Sequence, residues 1–105
     1  MGLRIVVGAD IAGYDYKEIL KKDLELDERV SEVIDAGVNA GEDVDYPNVA
    51  IAAAKLVAEG KADRALLVCG TGMGVAMSAN KVPGIRASVA HDSFSVERLV
   101  LSNNA

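Results

Sequence analysis

Apolar and polar positions follow two different periods along this chain. Stretches of strand length fall at Leu3–Val7, Val30–Ile34, Leu66–Val68 and Ile85–Ala90. Leu66, Leu67 and Val68 are unbroken by any polar residue, which is how a strand buried on both faces of a parallel sheet reads. The stretches between them carry the helical period. Tyr16, Ile19, Leu20 and Leu24 form one stripe, with Lys17, Glu18, Lys21 and Lys22 on the wet side. A second helix opens at Tyr46-Pro47, where proline suits the first turn, and carries Val49, Ala50, Ala53, Leu56 and Val57 inward. Gly60 fits as the glycine just past its end.

The third strand runs into Cys69, then glycines at 70, 72 and 74 around Thr71, then a helix from Val75 to Asn80. Lys81–Gly84 is a turn before the fourth strand. Asp92 or Ser93 can cap a last helix over Phe94–Leu101. Gly8-Ala9-Asp10 breaks the first strand and Asp35-Ala36-Gly37 the second. Asn39–Asp45 is a polar loop, and the acidic run 23–32 is a solvated helix end. Strands alternating with helices give an α/β fold with a parallel sheet, helices on both faces and right-handed crossovers. Ligands of such sheets lie beyond the carboxyl ends of the strands. Asp10, Cys69–Gly74 and His91-Asp92 all fall there. The chain runs out at Ser102-Asn103-Asn104-Ala105, which leaves the fourth strand's outer edge bare. A C-terminal strand and helix are expected to complete the domain.

Composition narrows the functions. At 105 residues with net charge −5, the chain carries no basic stripe, so nucleic acid is not an expected partner. Half the residues are hydrophobic, which excludes disorder. No apolar run approaches the ~20 residues of a membrane span. Met1-Gly2-Leu3-Arg4-Ile5 lacks the charged start and long apolar core of a signal peptide. One cysteine forms no internal disulfide and fits a reducing compartment, so a cytoplasmic protein is expected.

The strand–glycine turn–helix at 66–80 aims backbone N–H groups at an anion, and the helix N-terminus adds its dipole. A thiol there has its pKa lowered toward ambient pH, where a general base works best. Plainer readings stand beside this one. Cys69 alone is more often a core cysteine. The glycines could form only a tight connection, and they are neither a Walker A loop nor a dinucleotide fingerprint. Asp10 could simply cap the first helix. Tyr46-Pro47 could be a helix entry, and Ser102 a polar helix-end residue. His91 could be a solvated surface imidazole. Arg86 reads as an ion-pair or interface residue, and Met73 and Met77, four apart, as core filler.

Six pieces taken together resemble the ribose-5-phosphate isomerase B family of sugar-phosphate isomerases. They are Gly8-Ala9-Asp10 with Ala12-Gly13, Asp45-Tyr46-Pro47, Cys69-Gly70-Thr71-Gly72-Met73-Gly74, Ala79-Asn80-Lys81, Gly84-Ile85-Arg86-Ala87 and Asn103-Asn104-Ala105. They occur in order across the whole chain. The resemblance implies a Rossmann-like three-layer α/β/α sandwich that forms a homodimer or higher homo-oligomer. It also implies aldose–ketose isomerisation of a phosphorylated sugar through an enediol, with no metal and no cofactor.

By position, Cys69 is similar to the family's base, and Thr71 to the hydroxyl that shuttles protons. Gly70, Gly72, Met73 and Gly74 match the oxyanion cradle, and Asp10, Tyr46 and Asn103 match substrate contacts. Two positions depart from the pattern. Ile11 follows Asp10 where the family has histidine, and Ser102 stands where it has the ring-opening histidine. The family's phosphate-gripping arginines fall past Ala105. A four-carbon ketose 4-phosphate cannot close a furanose and needs no ring opener, so a tetrulose phosphate joins ribose 5-phosphate as candidate substrate. For a pentose, His91 is the first stand-in. The alternative to an isomerase is a non-catalytic phosphate-ligand module, or one subunit of a hetero-oligomeric enzyme.

Overall fold

The computed structural model describes residues 2–105, and Met1 lies outside them. The sheet has strands β1 (Leu3–Ala9), β2 (Val30–Asp35) and β3 (Arg64–Val68), all parallel, in the order β2-β1-β3. Helices α1 (Tyr14–Glu25), α2 (Tyr46–Ala58), α3 (Met73–Ala79) and α4 (Ser93–Asn103) complete the element order. α1 packs across the three strands on one face, and α2, with α3 beside it, covers the other. The arrangement is Rossmann-like. β1, central and flanked on both sides, is the most deeply buried element, with Ile5, Val6, Val7 and Ala9 in the core. Alanines at 50, 53 and 54 bring α2 close to the sheet, where a valine at position 8 would strike Val49.

Several local signals behave as physical chemistry requires. Pro47 sits in the first turn of α2, and Gly60 follows its C-cap at φ 78°. Asp92 caps α4 by accepting from the Ser95 N–H at 2.7 Å, within a reciprocal capping box. No helix among the described residues is long and apolar enough to cross a membrane.

Four expectations fail. Residues 85–90 form no strand. Ile85, Ala87 and Val89 do alternate inward, but a cavity of about 1060 Å³ separates this segment from β3. A ladder needs its partner at about 4.8 Å, and alternation records only which side faces the interior. β3 is consequently an edge strand, and Leu66–Val68 are half-buried, not sealed on both faces.

The stripe of α1 is also rotated. Lys17 is wholly buried, while Tyr16 and Ile19 are 69% and 58% exposed. Gly13 sets the seating: a Cβ there would lie 2.5 Å from the Val68 carbonyl oxygen, so the helix approaches β3 on Gly13's face. One turn on, that face carries Lys17. Met73 and Met77, 56% and 63% exposed, are not core filler. α3 spans only seven residues and turns that side outward.

Candidate active site

Cys69 follows the last residue of β3 and lines the large cavity together with Gly70, Thr71, Gly72 and His91. Its Sγ accepts the Gly72 N–H at 3.1 Å, so the turn folds back on the thiol. Gly72 takes φ 79°, which an L side chain rarely adopts, and a Cβ there would press on Val89 at 3.3 Å. The Met73 N–H is occupied by Thr71 Oγ1 at 3.2 Å, which fixes the hydroxyl over the start of α3. A Cβ at Gly70 would meet only the Ala12 side chain, at 4.0 Å.

Burial is the strongest influence on the Cys69 thiol and pushes it up. The N–H groups of Val75, Thr71 and Gly72 together outweigh that, and the group settles below the ordinary thiol value. The negative charge of Asp10 opposes them, which places that carboxylate within electrostatic reach of the sulfur. The thiol is therefore poised chiefly by backbone donors.

The other candidates arrive by separate routes. Asp10 ends β1's run and folds the following turn, accepting the Gly13 N–H at 3.0 Å on its own carboxylate. The carboxylate thus closes the turn before α1 without capping the helix, whose N-cap is Gly13 with no side-chain partner. Ile11, at the tip of that turn, is 61% exposed. Tyr46 opens α2 and lays its ring over Gly74, where a Cβ would come within 2.6 Å of it. Gly74 is therefore small to admit Tyr46, which ties the start of α2 to the glycine turn.

Asp10, Ile11, Tyr46, Met73 and Gly74 are not among the residues that line the Cys69 cavity, and the C-terminal pair is not either. Asn103 ends α4, and its carbonyl accepts from Arg86 Nε at 2.9 Å. Ser102 accepts from Arg98 at 3.1 Å. Neither lines the Cys69 cavity. His91 does, and its backbone N–H donates to Ser95 Oγ at 3.2 Å. Arg64 also donates to the Ala105 carbonyl and to Asn104 Oδ1. Sequence reasoning gave no role to Asn80, whose side chain clasps both polar backbone groups of Ala87 at 2.7 and 2.8 Å. An asparagine ending a helix before a turn was the available signal.

No group of three or more metal-ligating side chains gathers among the described residues. A poised thiol, a hydroxyl and a glycine turn can take a proton from carbon and hold the oxyanion that results.

Known proteins share this sequence and this fold. The pattern that defines the ribose/galactose isomerase family matches residues 5–105. The chain is 64% identical to D-erythrulose-4-phosphate isomerase 2 of Mycolicibacterium smegmatis, over 100% of this chain and 70% of that protein. It is 43% identical to ribose-5-P isomerase B of Listeria innocua, over 98% and 68%. Among solved structures, ribose-5-phosphate isomerase B of Clostridium thermocellum superposes with a TM-score of 0.90 at 40% identity, covering 98% of this chain and 68% of that one. The type B enzyme of Leishmania infantum gives 0.93 at 33%, covering 100% and 69%.

Proposed function

The chain belongs to the ribose/galactose isomerase family and is a sugar-phosphate aldose–ketose isomerase, and from that premise we propose that it acts on a four-carbon ketose phosphate with Cys69 as its base. The observation that carries the base assignment is the Cys69 sulfur held by the Gly72 N–H at the cavity wall. In the ketose-to-aldose direction, the thiolate takes a proton from C1. The C–H electron pair forms the C1–C2 double bond, and the C2 carbonyl oxygen becomes the enediolate oxygen, received by the N–H groups of the 70–74 turn that Cys69 and Thr71 leave free. Thr71 relays the O1 proton to O2. The thiol then returns its proton to C2 as the C1 carbonyl forms. General-base transfer contributes ~10²–10⁴-fold, and an aimed oxyanion donor ~10²–10³-fold.

Asp10 and Tyr46 hold the sugar in this reading, with Asn103 supplied from α4 or from a second copy. Two features support the four-carbon substrate. Neither Ile11 nor Ser102 offers an imidazole, and the Mycolicibacterium relative is named for erythrulose 4-phosphate. A pentose phosphate is favoured by His91, which shares the Cys69 cavity and could open a furanose, and by the Listeria and Clostridium relatives named for ribose 5-phosphate. A homodimer that covers Met73, Met77 and the 70% exposed Phe94 belongs to the same proposal, and light scattering tests it.

Steady-state kinetics on D- and L-erythrulose 4-phosphate and ribulose 5-phosphate decides the substrate. The four-carbon reading expects kcat/KM for one erythrulose phosphate to exceed that for the pentose. A pentose preference that disappears in His91→Ala establishes the other reading, and turnover of none of them overturns both.

A further inference from the structure

Lys17 is the charged residue in the core, and nothing in the proton transfer uses it. Its ammonium lies 3.0 Å from each oxygen of Asp35, 2.6 Å from the Val38 carbonyl and 3.1 Å from Glu18. Lys21 reaches the same Asp35 carboxylate at 3.2 Å. The Tyr14 ring lies beneath the ammonium, 5.2 Å away. Burying an ammonium carries a desolvation cost that a leucine at this position would avoid. Its partners are therefore informative.

Two of them, Asp35 and Val38, belong to the segment that runs beside the end of β1, next to the Asp10 turn. Beyond β2, the chain keeps pairing with the end of β1: the Ala36 N–H donates to Val7, the Ala9 N–H to Gly37 and the Val38 N–H to Ala9, each at 2.8 Å. The Gly37 N–H closes on Asp35 at 2.9 Å. Ala9 directly precedes Asp10. At the turn's other end, the Lys17 N–H donates to the Gly13 carbonyl at 2.9 Å, and Gly13 sits against Val68, the residue before Cys69. The Lys17 side chain thus joins the two walls between which the Asp10–Gly13 turn is held.

We propose that Lys17 is a positioning residue that, through Asp35 and the Val38 carbonyl, fixes the Asp10 turn against Cys69 and so sets affinity for the sugar phosphate. This rests on the reading of Asp10 as a substrate contact. Lys17 itself touches no substrate.

The test measures kcat and KM of Lys17→Met on the preferred sugar phosphate, and separately the pH dependence of Cys69 alkylation by iodoacetamide, which needs no turnover. A displaced anchor of this kind is expected to raise KM about tenfold with kcat nearly unchanged. The alkylation midpoint should move to lower pH, because the Asp10 charge that opposes the thiolate moves away. Asp35→Asn keeps an acceptor for the Gly37 N–H but removes the charge. It should shift both readings the same way by less, and it carries the test if Lys17→Met does not fold. A lowered melting temperature with KM and the alkylation profile both unchanged overturns the proposal. If the wild-type chain turns over no sugar phosphate, the functional reading fails. The alkylation arm then still decides whether Lys17 sets the Asp10–Cys69 geometry.

Discussion

At the β2 edge, the sheet is finished with polar and charged groups. Ser31 and Glu32 are exposed there, and Asp35, Lys17 and Lys21 lock the carboxyl end. At the β3 edge it is left apolar and open, with the large cavity alongside and α4 tied on by Arg64 and Arg86. The closed edge blunts strand pairing in the usual way. The open edge leads directly to Cys69. In the proposed reading the two sides divide the labour: the locked side places the turn that carries Asp10, and the open side presents the thiol to the sugar.

Cys69→Ala tests the open side most severely. It should lower kcat by at least the ~10²–10⁴-fold that a positioned base contributes, with substrate affinity largely kept. A kcat near wild type would place the chemistry elsewhere. Gly74→Ala is next. The added methyl would meet the Tyr46 ring at 2.6 Å and displace it, so KM should rise about tenfold while the melting temperature changes little.

The locked side answers to acid. Burial pushes Asp35 up, but the Gly37 N–H and the two lysines hold it below the usual carboxylate range. With the folded value depressed, its stabilisation is complete above the unfolded value of about 3.9 and drains away as pH falls through the folded one. Urea midpoints measured as the pH is lowered below about 4 should therefore fall in wild type. They should fall less steeply in Asp35→Asn. Equal acid slopes would mean the lock contributes nothing. The smallest effect is expected from Asn80→Ala, which removes the clasp on Ala87 and should cost about 1 kcal/mol. Faster amide exchange at Ala87 would report it.

How far the sequence reveals this division differs between the two sides. Strand–helix alternation, the Gly60 stop, the Asp92 cap and the Cys69 turn are local signals, and each is legible because a short run of residues determines it. Lys17 is not legible in that way. A lysine in an amphipathic helix reads as solvated, and its burial follows from Gly13's contact with Val68 and from Asp35 eighteen residues on. The fourth strand misleads for a related reason. Ile85, Ala87 and Val89 show the alternation, but pairing depends on what lies across the gap from β3. At the site, Cys69, Gly70, Thr71 and Gly72 converge as their place after β3 implies, and His91 joins them with no strand before it. Asn103 and Ser102 do not, because α4 packs on none of the other elements among the described residues.

The central claim is that the Cys69 thiolate moves a proton between two carbons of a sugar phosphate. Solvent deuterium incorporation at C1 of erythrulose 4-phosphate, followed by proton NMR with wild type and Cys69→Ala side by side, tests it most directly. The account predicts incorporation with wild type and none above background with the variant, although the variant still binds the ligand. Equal incorporation by both proteins would contradict it.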